Sequence, residues 1–211
     1  MAEKFILHGN AFYRLTVRNL KLFLKDKMQV FFSLLAPLIV LFLYVAFLGD
    51  VQMDGLRSAV PEGLVDDNLL RAVVDGWMMS GILAVTCITV AISVSSVAVA
   101  DNERGISCDF DSSPVSQSIV RFSYMASSYI CTLAITFIML AIGFIYLAIS
   151  GWYLGAGQVF AVIGNVFLSA LSSTLFATLA VSFFRSTSAL GGFIGIVSAA
   201  VGFLMGAYIP L

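Results

Sequence analysis

Cys87, Cys108, Cys131 and the single histidine, His8, are the side chains best suited to bind a metal or attack a substrate, and their spacing favours neither role. The cysteines form an odd set with no C-x-x-C pair, and His8 is remote from all of them in sequence, so no metal site or disulfide framework is expected. Cys87 and Cys131 fall inside apolar runs, where a free thiol behaves as a small hydrophobe. No Walker A sequence, catalytic-triad pattern or dinucleotide fingerprint occurs in the chain. The protein is therefore not expected to be an enzyme, and any energy source has to come from another subunit.

The remaining chemistry lies in charge. Arg14, Arg18, Lys21 and Lys25 fall within a stripe of about 60° on a helical wheel, with Phe12, Tyr13, Leu20, Phe23 and Leu24 on the other face. Such an amphipathic helix rests in the headgroup layer with its cations toward anionic lipid. It serves as a topology anchor or as an elbow that also meets a partner. The second charged stretch, Asp101 to Arg121, combines Asp101, Glu103, Arg104, Asp109 and Asp111 with a Ser113-Pro114 helix start. Ile106 and Phe110 are four residues apart and share one face of a short helix, which predicts an apolar knob ringed by charge.

The elements that carry these residues are apolar. Hydrophobic residues make up 60% of the chain, charged residues 11%, and the mean hydropathy is +1.02, well outside the range of soluble domains. A net charge of -1 gives no general electrostatic case for nucleic acid. Five uncharged runs are long enough to cross a hydrocarbon layer as helices: residues 28–48, 77–100, 124–149, 159–184 and 188–209. The chain thus divides into a cytoplasmic amino terminus, 1–27, and one transmembrane domain, 28–211. The fold class is an all-α polytopic bundle of five spans with an interfacial amino-terminal helix. No Asp, Glu, Lys, Arg or His falls in the runs, which argues against ion-coupled transport and intramembrane proteolysis. The amino terminus is too charged and its first apolar run too long for a cleavable signal peptide.

Orientation follows from Lys and Arg. Lys4, Arg14, Arg18, Lys21, Lys25, Lys27, Arg104, Arg121 and Arg185 share one side, and only Arg57 and Arg71 fall on the other. The amino terminus is therefore expected in the cytoplasm. The acidic segment Gly49 to Gly76 reads as an external loop with a helical turn around Leu64 to Val74, and SGWYLGAG as a tight external turn. Gly191 with Gly195, and Gly202 with Gly206, are small-xxx-small pairs suited to helix packing or to a dimer seam.

Four stretches together resemble the permease subunits of ATP-binding-cassette transporters, in the type-2 export family. NLKLFLKDKMQVFFSLLAPLIVLFLYVAFLG looks like the family's elbow helix and first span, and DNERGISCDFDSSPVSQSIVRFSYMASS like its first cytoplasmic loop. SFFRSTSALGGF is similar to the second cytoplasmic loop, and GFLMGAYIPL to the end of the fifth span.

The resemblance implies a permease of an ATP-driven exporter in the plasma membrane, working as a homo- or heterodimer with separate ATPase subunits bound beneath it. Glu103, Arg104, Gly105, Ile106, Phe110 and Pro114 would form the coupling helix seated in the ATPase, with the elbow helix helping to hold it. No cofactor belongs to this chain; ATP and Mg would sit in the ATPase. Substrate would pass between the permeases beside spans two and five. The family has six spans, so a sixth is expected beyond Leu211. A noncatalytic scaffold or an ATPase-independent channel is the alternative.

Overall fold

The structure, a computed structural model, describes residues 2–59, 66–113 and 115–204. Every element among them is helical. Helix α1 (Ala2–Lys25) ends at a sharp corner, because Asp26 leaves helical geometry (φ -81°, ψ 81°) and its carboxylate accepts the Gln29 N–H at 3.1 Å. Capping the next helix with Asp satisfies one of its orphan donors. Helix α2 (Lys27–Leu43) passes through Pro37 and widens into a π turn at Tyr44–Leu48. It continues without interruption as α3 (Gly49–Ala59).

That continuation corrects the loop expected from Gly49. Hydropathy marks where the bilayer ends, and a polar sequence free of proline keeps its helix beyond that level. Here α3 is held by packing: Gln52 is buried, and Met53 and Leu56 lie against the core. Arg57 grips Asp67 through two bonds of 2.7 and 3.2 Å, closing the hairpin to the next helix. The turn expected around Leu64 to Val74 falls partly outside the described residues, and from Asp67 onward it is the first part of a long helix.

Helix α4 (Asp67–Glu103) is the axis of the bundle, packed by α2, α3, α6, α7 and α8. Its 37 residues span roughly 55 Å at a rise of ~1.5 Å per residue, more than the hydrocarbon layer requires. Helices α6 (Gln117–Ser150), α7 (Ala156–Val181) and α8 (Thr187–Leu204) complete the bundle, with the short α5 (Ile106–Asp111) between α4 and α6. The helices around the second and third apolar runs overshoot them by a turn or more, whereas α7 stops at Val181, short of the expected Phe184. Four helical stretches are long and apolar enough to cross a membrane; α8 is shorter within the described residues, and the expected end of its span at residue 209 lies outside them. The chain is an all-α polytopic membrane bundle.

The α4–α6 seam is built from small and hydroxylated residues. Ser95 and Ser128 hydroxyls are 3.1 Å apart, the Ser128 hydroxyl donates to the Ala91 carbonyl at 3.2 Å, and Cys87 meets Thr136 at 3.5 Å. At Gly143 an added Cβ would lie 2.0 Å from Met79 Cε, so a side chain there forces Met79 to move. Small residues let helix backbones approach where lipid supplies no hydrophobic drive. The apolar core lies around this seam, with Met78, Ile82, Met139 and Leu147 fully or nearly fully buried.

Candidate functional site

One end of the bundle carries α1, α5 and the α7–α8 turn and is rich in Lys and Arg; it is called the basic end below, and the end carrying α3 the acidic end. Arg18 lies at the centre of the basic end. From α1 its guanidinium donates to both carboxylate oxygens of Asp101, at 2.6 and 3.1 Å, and to Asn19 Oδ1 at 3.0 Å. Asp101 is 3% exposed, near the end of α4, and accepts a third bond from the Tyr124 hydroxyl on α6. A buried carboxylate is stable only when paired and hydrogen-bonded, and here three helices supply what it needs. The bond to Asp101 is the main reason the Arg18 guanidinium pKa lies above its ordinary value.

Arg18 thus leaves the cationic stripe expected of the elbow. Arg14, Lys21 and Lys25 are exposed, as a headgroup-facing surface requires, whereas Arg18 turns into the protein. The buried stripe of α1 is Thr16, Asn19 and Phe23, and Asn19 Nδ2 reaches the Ser123 hydroxyl of α6 at 3.4 Å. The elbow is therefore packed against the bundle through a partly polar face. Amphipathicity alone places Phe23 correctly and misses Thr16 and Asn19.

Beyond Asp101, α4 ends with Glu103 and is capped by Arg104, and Gly105 adopts φ +76°, a left-handed position that suits glycine. That reversal starts α5, on which Ile106 and Phe110 do share a face. The face does not project as a knob. Both side chains are half-buried, and the Arg18 guanidinium lies 5.7 Å from the centre of the Phe110 ring, a cation–π arrangement. The outward surface consists of Glu103, Arg104, Cys108 and Asp109. Pro114 lies outside the described residues.

Glu103 makes a contact invisible in the sequence pattern. Its Oε2 accepts the Thr187 N–H at 3.0 Å and the Thr187 hydroxyl at 2.7 Å, capping the start of α8. Four segments distant in sequence, α1, the α4–α5 corner, α6 and the α8 start, are thereby tied into one surface. A cleft of about 740 Å³ opens between α4, α5, α6 and α7 at this end.

The acidic end has a parallel device. Asp75, also 3% exposed and on α4, accepts the Tyr44 hydroxyl at 2.8 Å and the Tyr146 hydroxyl at 3.2 Å. Tyr44 begins the π turn, and Gly49 lies against its ring with 3.3 Å available to a Cβ. Asp75 and Asp101 are 26 positions apart on one helix, or about 39 Å, so each buried acid sits at one edge of the membrane-crossing stretch. Both flank an acid-free run in the sequence, the one signal that could have marked them.

Gly191 and Gly195 meet nothing within 4 Å on their Cβ side, so this face of α8 is open along the chain. They are not packing contacts within the bundle, because α8 turns Leu190 and Val201 toward α4 instead. Gly202 belongs to α8, and Gly206 lies outside the described residues.

The model of the ABC-2 type transporter family matches residues 10–211. No curated protein and no solved structure matches the chain. That match runs from the elbow through the end of the chain, over the bundle just described, and the protein belongs to the ABC-2 type transporter family as a membrane-spanning permease component.

Proposed function

We propose that this permease is the substrate pathway of an ATP-driven exporter, working as a dimer and driven by separate ATPase subunits that dock on its basic end. The observation that carries the reading is the Arg18–Asp101–Tyr124 cluster joined to the Glu103–Thr187 cap. A surface that only faced water would need no buried carboxylate spanning three helices. A surface that receives force needs its parts to move together.

In this reading the basic end is cytoplasmic and the bundle lies in the plasma membrane. The positive-inside bias of Arg14, Lys21, Lys25, Arg104 and Arg185 supports that orientation. Glu103, Arg104 and the exposed side of α5 meet the ATPase, which binds ATP and Mg. Gly105 sets the angle of α5, and Ile106 and Phe110 seat it on the bundle. The elbow, through Arg18, holds that seat from the side.

Closure of the ATPases would push α5, and α4 would carry the displacement as a rigid rod to Asp75 and Tyr44 at the far end. Sub-ångström shifts in packed helices become discrete rearrangements because interfaces have few stable packings. The small-residue α4–α6 seam suits such sliding. The open face of α8 at Gly191 and Gly195 is the dimer seam, and substrate passes beside it. The spans offer aromatic and hydroxyl groups, which suit amphipathic cargo.

The test is reconstitution of the full protein with a candidate ATP-binding-cassette ATPase that copurifies with it. Reversing Glu103 and Arg104 together, by Glu103→Arg and Arg104→Glu, should leave a folded permease that no longer stimulates hydrolysis or exports. Normal coupling in that variant would exclude the role given to this surface. A permease that conducts with no ATPase present would favour a channel.

A further inference from the structure

The cleft at the basic end joins polar groups at its rim to an apolar stretch of α7. Asn102, Ser107, Arg121 and Ser182 line it at the ends of their helices, while Leu175 and Leu179 line it nearer the middle of the bundle. No aspartate or glutamate lines it among the described residues, and Arg121 is its one cation. Arg121 forms no ion pair among the described residues, where Arg18 and Arg57 each hold a carboxylate. The apolar wall is open at the side: Leu175 is 50% exposed and Leu179 63%, on a surface of α7 that also exposes Phe176.

We propose that this cleft binds one anionic phospholipid from the adjoining leaflet, with its phosphate at Arg121 and one acyl chain along Leu175 and Leu179. A single unpaired guanidinium suits one phosphate. The Ser107 hydroxyl and the Asn102 amide supply further hydrogen bonds at the same level. A soluble anion would use that rim and leave the apolar wall empty, whereas a phospholipid fills both and reaches the cleft from the side, without crossing water. The volume of about 740 Å³ falls in the range of small-molecule sites and accommodates a headgroup with part of a chain. The site is lined by one chain and rests on neither the ATPase nor the dimer.

The experiment titrates dioleoyl phosphatidylglycerol and dioleoyl phosphatidylcholine against the delipidated full-length protein, with retained lipid counted by native mass spectrometry. The parent protein should retain one phosphatidylglycerol in preference to phosphatidylcholine. Arg121→Gln should lower that preference about fivefold, the effect of roughly one membrane-level cation, and Arg121→Lys should keep most of it. Leu179→Trp, which fills the apolar wall, should release the lipid with Arg121 intact. Arg185→Gln removes an exposed cation at the same end that does not line the cleft, and it should change nothing. Equal loss in Arg185→Gln and Arg121→Gln would mean diffuse surface attraction and overturn the site. Retained preference in Arg121→Gln would overturn it too, as would displacement of the lipid by millimolar inorganic phosphate.

Discussion

Glu103 and Thr187 lie 84 positions apart, yet one carboxylate oxygen of Glu103 accepts both the backbone N–H and the hydroxyl of Thr187. The last residue of α4 is thereby the cap of α8. A residue expected to face a partner also fastens two helices of its own chain. Its two roles separate by substitution: Thr187→Val removes the hydroxyl bond and keeps the Glu103 charge. If Glu103 acts chiefly on the ATPase, Thr187→Val should keep coupled hydrolysis near the parent rate, where Glu103→Arg with Arg104→Glu abolishes it. Equal losses in the two would assign Glu103 to internal fastening.

Arg18→Ala strands a nearly buried carboxylate with only Tyr124 to serve it. Asp101 has a side chain 5% exposed and Arg18 one 31% exposed, so the cost is about 2 kcal/mol, below the range for a fully buried pair. A melting temperature lowered by several degrees in detergent should report it, and adding Asp101→Asn should recover part of the loss. Because pairing raises the Arg18 pKa above its ordinary value, the contribution is complete below that ordinary value and is lost only as pH climbs through the raised one. The destabilisation by Arg18→Ala, as far as Arg18 sets it, should be flat across the neutral range. An Arg18→Ala protein that melts like the parent would contradict the clamp.

At the acidic end, Tyr44→Phe and Tyr146→Phe each remove one donor to Asp75. Either alone should cost about 1 kcal/mol, and the pair more than the sum, because only the double variant leaves the carboxylate without these bonds. Replacing Asp75 with Leu in the double variant should restore much of the stability, since an apolar trio leaves no polar group unsatisfied. Additive single effects with no rescue would mean that Asp75 is served by other groups. Thermal melts of the four proteins decide it.

The α4–α6 seam makes a steric prediction. Gly143→Val should destabilise by about 1–3 kcal/mol, because its Cβ would meet Met79 Cε and Sδ at 2.0 and 2.4 Å. Met79→Ala should relieve it. On the open face of α8, Gly191→Leu and Gly195→Leu meet no such obstacle. They should leave the melting temperature of the monomer unchanged and lower the dimer fraction in native mass spectrometry.

What the sequence made legible follows from which forces leave a periodic trace. The apolar runs around residues 28–48, 77–100, 124–149 and 159–184 mark real helices, because lipid demands that every backbone bond be made within the span. Phe23 on the inner side of the elbow follows from the same periodicity, as does the shared face of Ile106 and Phe110. Helix ends were not legible, since α3 and the first turns of α4 are polar helices held by Met53, Leu56 and the Arg57–Asp67 pair. The partners of Arg18, Glu103 and Asp75 were not legible either. Each lies 31 or more positions away, where no local pattern reaches. The direction taken by Phe110 depends on Arg18, so the knob expected of α5 became a packed contact.

Cys108 gives the most direct access to the central claim, because it lies on the outward side of α5 while Cys87 and Cys131 are buried. A membrane-impermeant maleimide applied to the full protein should leave Cys108 unmodified in intact cells and label it in inside-out vesicles stripped of peripheral proteins. Adding back the ATPase should protect it again. Labelling of Cys108 from outside intact cells would place this surface on the wrong side of the membrane for any cytosolic motor, and labelling unchanged by the ATPase would remove the motor from this surface.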